Sequence, residues 1–86
     1  MTLHLSPQAV EDIIYWNRQD KNKTKKIKAL LESIQESPFT GLGKPEPLRF
    51  DLKGNWSRRI DREHRLVYSV EDDVITVHSC RFHYGT

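Results

Sequence analysis

Pro38, followed by a run over 39–47 that holds Gly41, Gly43, Pro45 and Pro47, divides this chain into two halves of different periodicity. Proline cannot continue a helix, and clustered glycine and proline punctuate turns. Before the break, apolar residues recur at helical spacing. Ile27, Leu30, Leu31 and Ile34 stand at i, i+3, i+4 and i+7 and predict an amphipathic helix that Pro38 stops. Val10, Ile13 and Ile14, continued by Asn17, predict an earlier helix over 7–19, with Ser6 as its N-cap and Pro7 at its first position. Glu11 and Asp12 fall early enough to favour its positive end. The connection at 20–22 is short, so the two helices should form an antiparallel hairpin. Ahead of them, residues 2–5 alternate and predict a short first strand.

After the break the period changes to two. Leu48, Phe50 and Leu52 alternate with Arg49 and Asp51, Lys53-Gly54-Asn55 forms a turn, and 56–61 alternates again. Arg62-Glu63-His64 and Glu71-Asp72-Asp73 turn the chain into strands over 65–70 and 74–81. The order is a strand, two helices and an antiparallel meander. It predicts an α+β fold with a helical hairpin packed on one face of a twisted antiparallel sheet. At 86 residues the chain reads as one domain, 1–86, with a thin core and one sheet face left for function.

The formal net charge is only +2, but the charges are segregated. Arg18, Lys21, Lys23, Lys25, Lys26 and Lys28 are opposed by Asp20 alone, and Arg49, Lys53, Arg58, Arg59, Arg62 and Arg65 form a second basic group. Such local charge points to an anionic partner. Lys21, Lys25 and Lys28 share the helix face away from Ile27 and Leu30, an arrangement suited to a nucleic-acid backbone. Cys80 is the single cysteine, which rules out an internal disulfide and predicts a reducing, cytoplasmic setting. No apolar run approaches the roughly 20 residues that span a bilayer, so no membrane is expected. His78, Cys80 and His83 do not match a zinc spacing, and Cys80 reads as a small core residue; no cofactor is expected.

Four positions carry chemistry. Glu46 stands between Pro45 and Pro47, which stiffen the backbone that presents its carboxylate. Arg58 and Arg59 are strand neighbours and must face opposite ways, so one is structural; alternation groups Ser57 with Arg59, and Arg65 with Val67 and Ser69. An arginine on a wet sheet face is a planar fork suited to phosphate. His83, beside Tyr84 near the end of the last strand, has an imidazole able to exchange a proton near neutral pH. His4 and His78 occupy strand positions that need no special account.

Gly43-Lys44-Pro45-Glu46-Pro47-Leu48, Trp56-Ser57-Arg58-Arg59-Ile60, Glu63-His64-Arg65-Leu66-Val67-Tyr68 and Arg81-Phe82-His83-Tyr84 together resemble the YoeB toxins of the RelE superfamily. Tyr15-Trp16, Asp20-Lys21 and Pro38-Phe39 extend the resemblance over nearly the whole chain. It implies a RelE-like ribonuclease fold and the toxin of a type II toxin–antitoxin pair, an enzyme that cuts messenger RNA on the ribosome without metal. It implies Glu46 as general base, Arg65 as transition-state phosphate ligand, His83 as general acid and Tyr84 as completing the site. Arg59 and Glu63 match supporting positions, Lys44 and Arg49 join them as substrate-binding cations, and Lys21, Lys25 and Lys28 become ribosomal RNA contacts. The implied partners are a YefM-like antitoxin, the ribosome with its messenger, a second copy of the chain, and operator DNA through the antitoxin only. Two rivals remain, a gyrase-inhibiting toxin that shares the fold, against which the joint presence of Glu46, Arg65 and His83 argues, and a non-catalytic co-repressor, which replacing the scissile ribose with 2′-deoxyribose would separate.

Overall fold

The computed structural model describes residues 1–49 and 54–81. Strand β1 (Thr2–Leu5) leads into helix α1 (Pro7–Gln19), helix α2 (Lys21–Glu36), and strands β2 (Glu46–Pro47), β3 (Asn55–Arg59), β4 (Arg65–Glu71) and β5 (Val74–Ser79). Their order across the sheet is β1-β5-β4-β3-β2. The expected antiparallel meander is present in β2 to β5. Strand β1 joins its far edge parallel to β5, from Thr2 opposite Val74 to Leu5 opposite Val77, so the whole sheet is mixed. The α1–α2 crossover does not intervene between β1 and its partner alone; β1 pairs with the last strand of the chain.

Local chemistry sets the helix ends. The Ser6 side chain accepts from the Ala9 N–H at 3.1 Å, and Pro7 follows at the first turn, where a missing N–H costs nothing. The connection is shorter than 20–22. Asp20 alone closes α1, its N–H donating to Trp16 O at 2.8 Å, and opens α2, its carboxylate accepting from the Asn22 N–H at 3.0 Å. One residue therefore serves as C-cap and N-cap, and the helices must turn sharply against one another.

Ile27, Leu30 and Ile34 of α2 pack with Leu66 and Tyr68 of β4 and Ile75 and Val77 of β5, as the spacing predicts. Helix α1 differs from expectation. Val10 and Ile14 are 41% and 48% exposed, and the buried stripe is Ala9, Asp12 and Trp16, flanked by Ile13. The reason is Asp12, which is no helix-dipole residue. Its carboxylate accepts the Cys80 N–H at 2.8 Å and the Gln8 side-chain amide at 2.9 Å, while the Trp16 indole donates to Cys80 O at 2.8 Å. Both polar groups of Cys80 are thus satisfied from α1, which an apolar Val10–Ile14 face could not do.

Ahead of the strand expected from Leu48, the chain already pairs with β3. The paired residues are Glu46 and Pro47, opposite Ser57 and Trp56, with the Leu48 N–H donating to Asn55 O at 2.8 Å. Phe50, Leu52 and Lys53, part of the strand and turn expected there, lie outside the described residues. Among the described residues no helix is long and apolar enough to cross a membrane.

Candidate active site

Glu46 is positioned by an arginine behind it. Arg58 is wholly buried on the helix side of β3. Its five N–H groups match five acceptors: Nε donates to the Tyr68 hydroxyl, Nη1 to Ser33 Oγ and Leu42 O, and Nη2 to Ser37 O and Thr40 O, at 2.7–3.2 Å. The Tyr68 hydroxyl in turn donates to Pro38 O at 2.6 Å. One guanidinium thereby holds the end of α2 and the loop that follows. That loop needs Gly43 at φ 84°, where an added Cβ would lie 2.6 Å from Leu30 Cδ2, and it closes when the Arg59 N–H donates to Gly43 O at 2.7 Å. Lys44 at φ 52° then directs the chain into β2.

Residues opposed across an antiparallel pair share a sheet face. Because Arg58 reaches α2, its neighbours Ser57 and Arg59 face away from the helices. The register places Glu46 opposite Ser57, Ser57 opposite Val67, and Arg59 opposite Arg65. Glu46, Ser57, Arg59 and Arg65 therefore lie on one helix-free face, within one pleat repeat of each other along the strands. Glu46 and Arg59 are exposed, whereas Ser57 and Arg65 form its floor at 1% and 8% exposure.

Arg65 is held from one end. Its Nη1 donates to Asp61 O at 3.1 Å, His64 O at 3.2 Å and, at the limit of 3.5 Å, Arg62 O; Nε and Nη2 have no protein partner among the described residues. The turn that supplies those carbonyls is built on Asp61, whose Oδ1 accepts the N–H groups of Glu63 and His64 at 2.8 and 2.6 Å and whose Oδ2 lies 3.0 Å from Lys23 Nζ. Burial alone would raise the Asp61 carboxyl, but the His64 N–H, the Lys23 ammonium and the Glu63 N–H together hold it below the usual aspartate value. The His64 ring packs edge-on to Trp16 at 4.8 Å, fastening the same turn to α1.

Lys44 and Arg59 meet at the end of β3, where they line a cleft of about 360 Å³ with Lys26, Ile60, Asp61 and Arg62. Glu63 and Arg49 are exposed, Glu63 on the Asp61 turn and Arg49 just after β2. Lys21, Lys25 and Lys28 are exposed together, bordering a groove of about 240 Å³ with Asn17 and Thr24. His83 and Tyr84 lie outside the described residues. Cys80 is fully buried, its thiol pushed up to about 12 by burial and by the Asp12 carboxylate, as suits a core residue. His78 is on the helix-free face, its Nε2 lying 2.9 Å from Ser69 Oγ, and among the described residues no three His, Cys, Asp or Glu side chains are grouped to hold a metal ion.

The alternation of Arg58 and Arg59 marked one of them as structural, and the burial assigns that role to Arg58. Two other residues escaped the sequence reading. Ser57 presents a buried hydroxyl with no partner among the described residues, beside Glu46, and the signal for it was present in its two-residue spacing from Arg59. His78 shares the helix-free face with Thr76 by alternation, and a register shift between β4 and β5, where Val67 opposes Ser79 but Tyr68 opposes Val77, makes it the extra residue of a bulge. Such a bulge leaves no mark in hydrophobic alternation.

A two-helix hairpin on one face of a five-stranded sheet, with cations and a carboxylate gathered on the other, defines the class of RelE-like toxins. The comparisons agree. Residues 5–84 match the model of the YoeB-like toxins of bacterial type II toxin–antitoxin systems. Toxin YoeB of Escherichia coli K12 is 49% identical over 84 residues, 98% of this chain and 100% of that one. A YoeB/ParE toxin from Agrobacterium tumefaciens superposes with a TM-score of 0.94 at 44% identity, covering 98% and 100% of the two chains. Staphylococcus aureus YoeB has been solved as a dimer, with TM-score 0.89 and 48% identity, and in a complex with YefM, with 0.87 and 47%; each comparison covers 98% of both chains. This chain belongs to the YoeB family of type II toxins.

Proposed function

We propose that this toxin is a ribosome-dependent endoribonuclease that cuts messenger RNA by metal-independent attack of a ribose 2′-hydroxyl. The observation that carries the reading is the register that brings Glu46, Arg59 and Arg65 to one helix-free face. Glu46, exposed and with no side-chain hydrogen bond among the described residues, takes the 2′-hydroxyl proton. The 2′-oxygen attacks the adjacent phosphorus, the bond to the 5′-oxygen breaks, and a cyclic 2′,3′-phosphate remains. Arg65, with Nε and Nη2 uncommitted to protein among the described residues, binds the charge that develops on the phosphorane oxygens. His83 protonates the departing 5′-oxygen and Tyr84 completes the site, both by family resemblance. Arg59 and Lys44 hold flanking phosphates from their shared cleft, Arg49 joins them, and Glu63 supports the Arg65 turn.

Lys21, Lys25 and Lys28 present a row of exposed ammonium groups to ribosomal RNA, and alignment of the 2′-oxygen by a bent messenger contributes to the rate. The chain acts in the cytoplasm as one domain, forms a homodimer, is neutralised by a YefM-like antitoxin and reaches operator DNA through it.

The test adds the protein to programmed ribosomes with EDTA present and maps the cut ends. Cleavage leaving a cyclic 2′,3′-phosphate is expected, abolished by 2′-deoxyribose at the scissile nucleotide and reduced by about 10²–10⁴ in Glu46→Ala. Full activity of Glu46→Ala and His83→Ala, or cutting at the deoxy position, sinks the assignment.

A further inference from the structure

The helix-free face continues past the row that holds Glu46. One pleat repeat along β3 and β4, about 7 Å away, Asn55 opposes Ser69, and Ser69 opposes Thr76. This next row floors a concavity of about 550 Å³, bordered by His78, Glu71 and Asp72. The volume is that of a small-molecule site. The sequence reading gave none of these residues a role.

Its chemistry is the reverse of the cleft at the other end of the face. There Lys26, Lys44, Arg59 and Arg62 gather around Asp61, which Lys23 already neutralises. Here the described lining holds neutral hydrogen-bonding groups, two acids and the apolar Val70 and Val74, with no lysine or arginine. Thr76 and His78 alternate with the buried Ile75 and Val77, so the His78 ring is on this face, where Nε2 lies 2.9 Å from Ser69 Oγ. Burial lowers the tendency of that imidazole to take a proton, so it adds no cation. A phosphate is drawn to the first end and repelled from the second. A nucleobase, uncharged and edged with donors and acceptors, is suited to the second.

We propose that the concavity of Asn55, Ser69, Thr76 and His78 is a nucleobase subsite, which takes an unpaired base bearing an exocyclic amino group from a nucleotide flanking the cut. Single-stranded RNA is read in this way, by bases splayed out and hydrogen-bonded along their edges. The carboxylates of Glu71 and Asp72 only accept, so they favour the 4-amino group of cytosine over the carbonyl that uracil presents in the same place, and they likewise accept from the amino groups of adenine and guanine. Orienting the strand with its phosphates toward Arg59 and a base toward His78 would set the direction in which the messenger crosses Glu46. The subsite rests on the RNA-cleavage reading above.

Nucleosides test it directly, because they contain no phosphodiester to be cut. The ¹⁵N-labelled wild-type chain is titrated with cytidine against uridine, adenosine against purine riboside, and ribose 5-phosphate. Cytidine and adenosine should shift the amide resonances of Asn55, Ser69, Thr76 and His78, binding about 3- to 10-fold more tightly than the partners lacking the amino group. Ser69→Ala should weaken cytidine by a similar factor, and ribose 5-phosphate should move resonances near Arg59 instead. Equal binding of amino and non-amino nucleosides, silence of the four amides up to the solubility limit, or their response to ribose 5-phosphate would overturn the subsite. Cleavage of messenger by a chain that fails this titration removes the subsite alone. A chain that passes it but cuts no RNA keeps the base site and removes the nuclease.

Discussion

Arg58 and Arg65 sit on adjacent strands and are both nearly sealed from solvent, at 0% and 8% exposure, yet they are held in opposite ways. Arg58 spends four N–H groups on the end of α2 and its following loop and the fifth on the Tyr68 hydroxyl of β4, and no carboxylate faces it among the described residues. Carbonyl and hydroxyl dipoles compensate its charge, with the Tyr68 ring 5.7 Å away. Arg65 is anchored through Nη1 alone to the carbonyls of one turn. A buried cation with every donor matched has nothing left for a ligand, and its place in the fold is to order the loop that carries Glu46. A buried cation held by one nitrogen keeps a fixed position and retains binding capacity, which is what a phosphate ligand requires.

Exchanging the two residues for alanine breaks the comparison if it is wrong. Arg58→Ala empties a wholly buried side-chain site and takes the donor from the carbonyls of Ser37, Thr40 and Leu42, and should cost about 3–5 kcal/mol in urea unfolding. Arg65→Ala frees carbonyls on a turn with other ties, and should cost only about 1 kcal/mol while lowering ribosome-dependent cleavage about 10²–10³-fold. Equal stability losses in the two variants, or normal cleavage by Arg65→Ala, would remove the distinction between clamp and ligand.

A smaller effect is expected on the Arg58 side from Gly43→Ala. The new Cβ meets Leu30 Cδ2 at 2.6 Å and Arg59 O at 3.2 Å, at a φ of 84° that an L side chain resists. Overpacking and backbone strain together predict a loss of about 1–3 kcal/mol. Hydrogen exchange should show the Arg59 amide, which donates to Gly43 O, opening more readily than amides of β4 and β5.

Much of this division was legible from sequence, and the illegible parts share a cause. Pro38 and the change of period from helical to alternating separated helices from strands because both are local signals. Strand alternation put Arg58 and Arg59 on opposite faces, but which faced the helices depends on where α2 docks, and the acceptors that decide it are backbone carbonyls with no residue signature. The face of α1 was misread for a related reason. Asp12 occupies the centre of its buried stripe to accept the Cys80 N–H, and hydropathy counts a carboxylate as surface. The parallel pairing of β1 with β5 joins the two ends of the chain, which no short-range pattern specifies. For the candidate site, alternation grouped Ser57 with Arg59 and Arg65 with Val67 and Ser69, but only the pairing register sets these groups beside one another and beside Glu46, because register between strands leaves no local mark.

The smallest predicted effect bears on the turn beneath Arg65. Asp61 accepts two turn amides and the Lys23 ammonium, and these hold its carboxyl below the usual aspartate value in the folded chain. In the unfolded chain that value is the ordinary one, so on acidification the unfolded state takes up the proton first. The contribution of Asp61 to stability is therefore complete at neutral pH, begins to fall near about pH 4 and is lost as pH drops through the lowered folded value. Because the Lys23 and Asp61 side chains are 27% and 24% exposed, the ion pair itself should be worth less than about 1 kcal/mol. Asp61→Asn keeps an acceptor for the turn amides but cannot titrate. Its unfolding free energy should lie below that of the wild-type chain at pH 7 and converge with it at lower pH, whereas Lys23→Met should lose only the ion-pair part. A difference between Asp61→Asn and wild type that persisted undiminished to the acid limit would mean that the turn does not depend on the carboxylate charge, and that Arg65 is held by its own contacts alone.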